Sequence, residues 1–180
     1  TNDIVSASVD ATDIDGDTLT VSYSWYVSGL PLSSFPSLNG ATDFEKGDTV
    51  YLEVTVSDGE DDSDPSLSDT LTILNTPPTG PTVEVTPIDP VTGTDSIVCS
   101  MAGEGDDVDG DDLTYTISWL RDGEEWDGAT TTTVETDDTI EAENLKSYEV
   151  WSCLITPNDG SADGAPGAET AEVQTIFDGW

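Results

Sequence analysis

Apolar and polar residues alternate in several short segments of the chain, and this period of two is typical of half-buried β-strands. The clearest alternation lies at 19–27 and 113–119, and again at 50–56 and 151–155. Shorter strand candidates follow at 5–9, 71–74, 83–85, 97–101 and 173–177. No segment has the spacing of an amphipathic helix, and Asp, Gly and Pro separate the candidates. The pattern therefore predicts an all-β chain built from antiparallel sandwiches.

The same strand pattern occurs twice, because the chain contains an internal repeat. Residues 13–25 read DIDGDTLTVSYSW, and residues 107–119 read DVDGDDLTYTISW. A second block, LEVTVSDG at 52–59, aligns with CLITPNDG at 153–160. Two blocks in the same order and at similar spacing indicate two copies of one domain.

The segment between the copies is rich in proline and reads LNTPPTGP at 74–81, which favours an extended, stiff connection. A boundary near Thr76 gives two domains, 1–76 and 77–180. The second copy has an additional segment, 77–94, which contains the strand candidate TVEV. The first domain is therefore expected to lack its N-terminal strand. That strand would come from an upstream part of a longer tandem array or from another subunit.

Acidic residues dominate the composition, with 39 Asp and Glu against 3 Lys and Arg, no His, and a formal net charge of -36. Nucleic acid and anionic membranes are poor partners for such a chain, because both require a basic surface. No apolar run has the length needed for membrane insertion. Without His, general acid–base chemistry would fall to carboxylate pairs, and no nucleophile stands beside a base. We therefore expect a protein that is not an enzyme.

The D-x-D-G-D-x-L motif, each time followed by an alternating strand that ends in Trp, resembles tandem immunoglobulin-like repeats of large bacterial and archaeal surface proteins. It is also similar to PKD-type and cadherin-like modules. The resemblance covers almost the whole chain. It implies a non-enzymatic, extracellular structural repeat at the cell surface, in a calcium-stabilised rod that belongs to a filament, stalk or adhesin.

The partners that this resemblance implies are other repeats of the same protein, or identical subunits in a filament. A filament subunit completed by a strand from its neighbour is one alternative. A module that binds a surface glycan or protein through the loops at one pole is another. In that case Trp126 could stack against a sugar ring, and an exposed aromatic cluster would favour this interpretation over a scaffold.

Cysteine and tryptophan occur in the order Cys99, Trp119, Cys153, which is the order in immunoglobulin-like sandwiches, where the bridge joins the two sheets. This order predicts a disulfide between Cys99 and Cys153 and an oxidising, extracellular compartment. In the first copy, apolar residues stand at both cysteine positions. The predicted core residues are Trp25, Trp119, Val5 and Leu52.

Aspartates concentrate in two loops of each copy, and the sandwich fold brings these loops to the same pole. Carboxylates suit Ca²⁺, which takes roughly six to eight oxygen ligands. An EF-hand is excluded, because the glycine is fourth in the motif and the twelfth positions are Ser24 and Ser118. The predicted calcium ligands are Asp13, Asp15, Asp17 and Asp58 in the first copy and Asp107, Asp109, Asp111 and Asp159 in the second. Solvated Asp-Gly turns are the alternative.

Overall fold

The computed structural model describes residues 2–130, 133–134 and 136–175, with side chains outside 133–134. The chain divides into two compact units, Thr1–Thr76 and Pro77–Trp180. All pairings between the described strands are antiparallel, and one short 3₁₀ turn lies at Ala142–Asn144. Among the described residues, no helix has the length and apolar character needed to span a bilayer.

The first unit consists of short strands in two sheets. These strands are β1 (Ile4–Ser6), β2 (Thr20–Val27), β3 (Leu30–Ser33), β4 (Ser37–Asn39), β5 (Thr49–Ser57), β6 (Ser66–Leu67) and β7 (Leu71–Thr72). One sheet has the order β3-β2-β5-β6, with β7 also paired to β5. The other consists of β1 and β4. Because the apolar residues of β2 and β5 alternate, one face of this sheet can pack inward.

The core of the first unit forms between these two sheets. Trp25 is 4% exposed and Leu52 is 6% exposed, and both belong to one cluster with Leu38 of β4. Val5 packs against this cluster but is only half-buried. The two sheets therefore pack through the residues that alternate along β2 and β5.

The second unit has the strand order of an immunoglobulin-like sandwich. Its strands are β8 (Thr82–Thr86), β9 (Ile97–Gly103), β10 (Thr114–Arg121), β11 (Glu124–Glu125), β12 (Thr133–Val134), β13 (Asp137–Ile140), β14 (Val150–Asn158) and β15 (Gly167–Glu172). One sheet has the order β12-β13-β9-β8 and the other β11-β10-β14-β15. These are the D-E-B-A and C′-C-F-G sheets of the immunoglobulin fold, so the predicted fold class is confirmed.

The predicted disulfide is present and joins the two sheets of the second unit. Cys99 lies on β9 and Cys153 on β14, and their Cα atoms are 6.1 Å apart. Trp119 on β10 is 3% exposed and lies directly opposite Cys153 in the strand register. The bridge and the indole ring therefore occupy the centre of one core.

The last strand differs from the prediction. A strand was expected at 173–177, but β15 is Gly167–Glu172, and Val173–Thr175 lie beyond it. Residues 176 and 177 fall outside the described part of the chain. The inward positions of β15 include Gly167 and Ala171, whose small side chains give almost no hydrophobic signal. The strand was predicted too late in the chain because the apolar residue that marks it, Val173, is buried but lies just after β15.

The two units also differ at their N-terminal strands. In the second unit, β8 pairs with β9 from Thr82 to Thr86. The counterpart of β9 in the first unit is β1, and among the described strands β1 pairs with β4 alone. One edge of β1 therefore has no strand of residues 2–175 beside it.

Candidate metal centre

The loop between β9 and β10 is shaped by the side chain of Asp107. Its Oδ1 accepts hydrogen bonds from the backbone nitrogens of Asp109, at 2.8 Å, and Asp111, at 3.2 Å. Gly110 has a φ of 81°, which non-glycine residues rarely adopt. The D-x-D-G-D motif is thus a compact turn that closes around one carboxylate.

A second loop, between β14 and β15, is closed in a similar way by Asp159. Its Oδ1 accepts hydrogen bonds from the backbone nitrogens of Ser161 and Ala162, both at 2.7 Å. Asp159 is only 6% exposed, although it is a carboxylate in a loop. Such burial of an acid requires strong compensation, which the two backbone donors supply in part.

The two loops bring three carboxylates together. Asp107, Asp111 and Asp159 each place one oxygen within 4.8 Å of the other two. Oδ2 of Asp107 is shielded from solvent and accepts no hydrogen bond from the described residues. Three negative charges at this separation repel one another, and a bound cation would remove the repulsion.

The donor set of this group selects the class of cation. All three side chains offer oxygen, the chain has no His, and both cysteines are held in the disulfide. Soft or borderline metals that prefer sulfur or imidazole are therefore disfavoured. Calcium tolerates irregular oxygen shells, whereas magnesium requires a near-octahedral arrangement and keeps its water. The residues present fit Ca²⁺.

Asp109 does not join the group of three, although the sequence placed it among the ligands. Its backbone nitrogen closes the turn on Asp107. The turn brings together the carboxylates of the first and fifth residues of the motif, Asp107 and Asp111. The carboxylate of Asp109, two positions after Asp107, is not part of the group. Sequence spacing alone could not distinguish these pairings, because every second position of the motif is acidic.

The first unit repeats the turn around Asp13. Oδ1 of Asp13 accepts hydrogen bonds from the backbone nitrogens of Asp15, at 2.9 Å, and Asp17, at 3.0 Å. The backbone N–H of Asp17 is the main cause that lowers the pKa of the Asp13 carboxyl, while the nearby charge of Asp58 opposes this shift. The carboxylate is therefore ionised at neutral pH.

Asp58 is the counterpart of Asp159 and closes its own loop. Its Oδ1 accepts from the backbone nitrogens of Asp61 and Glu60, both at 2.8 Å, and the bond from Asp61 is the main cause that lowers the pKa of Asp58. Within the described part of the first unit, however, no three carboxylates converge as they do in the second. The four residues predicted here lie on matching turns without forming a comparable group.

Trp126 is not an exposed aromatic surface. Its ring is half-buried, meets the ring of Trp151 edge-on at a centroid distance of 5.1 Å, and carries the guanidinium of Arg121 4.6 Å from its centre. Both neighbours belong to the same unit. The ring is therefore occupied by packing and a cation–π contact.

No protein-family model matches the chain, and comparison with curated protein sequences finds no match. Among solved structures, the chicken interferon gamma receptor alpha chain is similar, with a TM-score of 0.47, 9% identity, and coverage of 95% of this chain and 91% of that chain. The fibronectin(III)-like modules of Clostridium thermocellum CbhA have a TM-score of 0.37 and 15% identity, with coverage of 98% of this chain and 87% of that chain. The FN1–FN3 domains of chicken CNTN1 have a TM-score of 0.38 and 13% identity, with coverage of 88% of this chain and 57% of that chain. All these TM-scores are below 0.5, so the fold assignment rests on strand order and the disulfide.

Proposed function

We propose that the chain is a non-enzymatic, extracellular structural module whose second unit is stabilised by a calcium ion at Asp107, Asp111 and Asp159. The convergence of these three carboxylates, with Oδ2 of Asp107 buried and unpaired among the described residues, carries the proposal. Calcium would hold together the two loops at this pole, because its ligands come from both of them.

An extracellular location is supported by the Cys99–Cys153 disulfide, because such bridges persist mainly in oxidising compartments. The net charge of -36 supports a setting in which cations are plentiful. Tandem sandwich units are suited to a stalk, filament or adhesin at the cell surface. In this role the partners are other repeats or identical subunits.

Recognition of a glycan through Trp126 is a weaker candidate. The ring already packs against Trp151 and Arg121, so a sugar would have to displace both contacts. We therefore favour a structural role over sugar binding at this residue.

Calorimetric titration and thermal unfolding of the full chain test the calcium proposal. After treatment with chelator, added CaCl₂ should release or absorb heat with saturation and raise the Tm. At a free concentration a hundredfold above Kd, the gain is about 2.7 kcal/mol. Asp107→Asn and Asp159→Asn should abolish most of this gain.

Asp13→Asn is the matched control, because it removes the same charge from the equivalent turn of the first unit. It should leave the calcium response of the second unit in place. NaCl at equal ionic strength controls for general screening of the charge. An equal Tm shift with NaCl, or no heat with CaCl₂, would contradict the proposal.

A further inference from the structure

The first unit has a groove at the place where the second unit holds its own N-terminal strand. The groove has a volume of about 300 Å³ and is open to solvent. It lies between the chain that continues from β1 and the region around β6, and the inward residues of β5 form its floor. Its lining consists of Ser8, Val9, Asp10, Ala11, Leu52, Val54, Val56, Ser63, Ser66, Leu67 and Ser68.

In the second unit the corresponding space is filled by β8. Val85 pairs with Cys99 and Val83 with Met101, and the two valines are only 4% and 8% exposed. They belong to the same core cluster as Ile155 of β14. Strand β8 therefore completes the hydrophobic core as well as the sheet.

The equivalence of the two places follows from strand register. Ile155 lies opposite Gly167, and Val54 lies opposite Ser66, so Val54 occupies the position of Ile155. Ile155 is fully buried, whereas Val54 is partly exposed. The first unit thus exposes a part of its core that a strand covers in the second.

We propose that this groove binds an extended strand with β-branched apolar residues at two alternate positions, supplied by another polypeptide segment outside residues 2–175. The strand would pair antiparallel with the free edge of β1 and place its two apolar side chains over Val54 and Val56. This is β-strand addition, in which backbone hydrogen bonds give affinity and alternate side chains give specificity. The inference is independent of the calcium proposal.

The chemistry of the occupant follows from Thr82–Thr86, the strand that fills the equivalent place. Its inward residues are Val83 and Val85, and its outward residues carry only one acid. A strand with several acids is disfavoured, because the chain already carries a net charge of -36.

The strand that binds this groove must also start later than the segment 78–86 of the second unit, in which Pro78–Pro81 precede β8. There, a Cβ on Gly164 would overlap the carbonyl of Pro78, and a Cβ on Gly167 would overlap that of Pro81. The first unit has Ser63 and Ser66 at these two positions. A strand like Thr82–Thr86 therefore fits the groove, whereas a backbone that continues along the path of Pro78–Pro81 does not.

The test uses a synthetic peptide with the sequence TVEVTPI, which is residues 82–88 of this chain, added to the full protein. Hydrogen exchange of Ile4–Ser6 should slow with saturation as peptide is added, and the Tm of the first unit should rise. A peptide with Val83→Asp and Val85→Asp should bind at least about tenfold more weakly.

Leu67→Asp and Leu71→Asp form a matched pair of protein variants. Both side chains are exposed, at 63% and 50%, so both variants should fold, but only Leu67 lines the groove. Leu67→Asp should weaken peptide binding at least about tenfold, and Leu71→Asp should leave it unchanged.

Three results would overturn the proposal. The first is no saturable binding of the peptide. The second is faster exchange at Thr82–Thr86 with no change at Ile4–Ser6, which would mean that the peptide displaces β8. The third is concentration-dependent dimerisation of the chain that protects Ile4–Ser6 without peptide, which would make a second copy the occupant.

Discussion

The indole nitrogen of Trp119 donates a 3.1 Å hydrogen bond to Oδ2 of Asp138, and each side chain is 3% exposed. Trp119 lies on β10 and Asp138 on β13, so this bond joins the two sheets through the core. The first unit satisfies its tryptophan differently, since Trp25 donates to the backbone carbonyl of Phe35 at 2.9 Å. Leu38 stands at the place of Asp138 in the strand register. The indole N–H groups of Trp119 and Trp25 thus each have an acceptor, as their burial requires.

Replacing Asp138 with the leucine of the first unit should destabilise the second unit. Asp138→Leu leaves the N–H of Trp119 buried without its acceptor, which costs about 1–3 kcal/mol. Asp138→Asn keeps an oxygen in place and should cost less. Urea unfolding followed by tryptophan fluorescence measures both variants, and equal stability of Asp138→Leu and the unaltered protein would contradict the assignment.

The disulfide should stabilise the second unit alone. The cysteines are 54 residues apart, and a loop of this length gives about 4 kcal/mol in the chain-entropy model. Reduction should therefore lower the Tm of the second unit and leave the first unit unchanged, as measured by calorimetry with and without reductant.

A matched pair of variants separates the covalent bond from the packing. Cys99→Val with Cys153→Leu introduces the Val5 and Leu52 arrangement of the first unit, whereas Cys99→Ala with Cys153→Ala removes volume as well. The alanine pair should be the less stable, because it adds a cavity to the loss of the bridge. If both pairs match the unaltered protein, the disulfide contributes nothing to stability.

Much of this fold could be predicted from the sequence, because β2, β5, β10 and β14 alternate and the order of Cys99, Trp119 and Cys153 marks two facing sheets. The final strand could not, since β15 has small inward residues. Asp138 was missed for a different reason: one buried acid has no distinguishing signal among 39 acids. In the candidate site, the sandwich fold was enough to predict that Asp159 lies near the Asp107 motif, because it brings both loops to one pole. That Asp109 lies outside the group of three carboxylates is visible only in the geometry of the turn.

Asp48 should make the first unit sensitive to acid. Its Oδ1 accepts from the hydroxyl of Ser28 at 2.7 Å, and its Oδ2 accepts from the backbone nitrogen of Glu45 at 2.8 Å. The Ser28 hydroxyl is the largest cause that lowers the pKa of Asp48. Stability from a lowered pKa is present above the ordinary value and is lost as the pH falls through the folded value.

Asp48→Asn should consequently destabilise the first unit at pH 7 by about 1 kcal/mol or less, because solvent screens the site. The difference from the unaltered protein should begin to shrink as the pH falls below the ordinary Asp pKa of about 4. It should vanish below the lowered pKa of the folded state, where the carboxyl is protonated. Unfolding curves recorded from about pH 2.5 to about pH 7 measure this difference, because this range spans the ordinary Asp pKa. A difference that stays constant over the whole range would show that the charge of Asp48 is not the cause.

Gly167→Ser tests whether the second unit needs glycine at this position to accommodate the segment that precedes its N-terminal strand, β8. A Cβ at Gly167 would overlap the carbonyl of Pro81, so serine, which the first unit has at Ser66, should cost about 1–3 kcal/mol in the second. Gly103→Ala, on β9, is the matched control, because a Cβ there meets only the side chain of Thr82, at 3.6 and 3.7 Å.

That control should be neutral or slightly stabilising, since alanine restricts the unfolded chain more than glycine does. Thermal unfolding of the two variants gives the comparison directly. If Gly167→Ser and Gly103→Ala have the same Tm, the path of the segment before β8 does not depend on glycine. The serines at 63 and 66 would then set no limit on the length of strand that the first unit accepts.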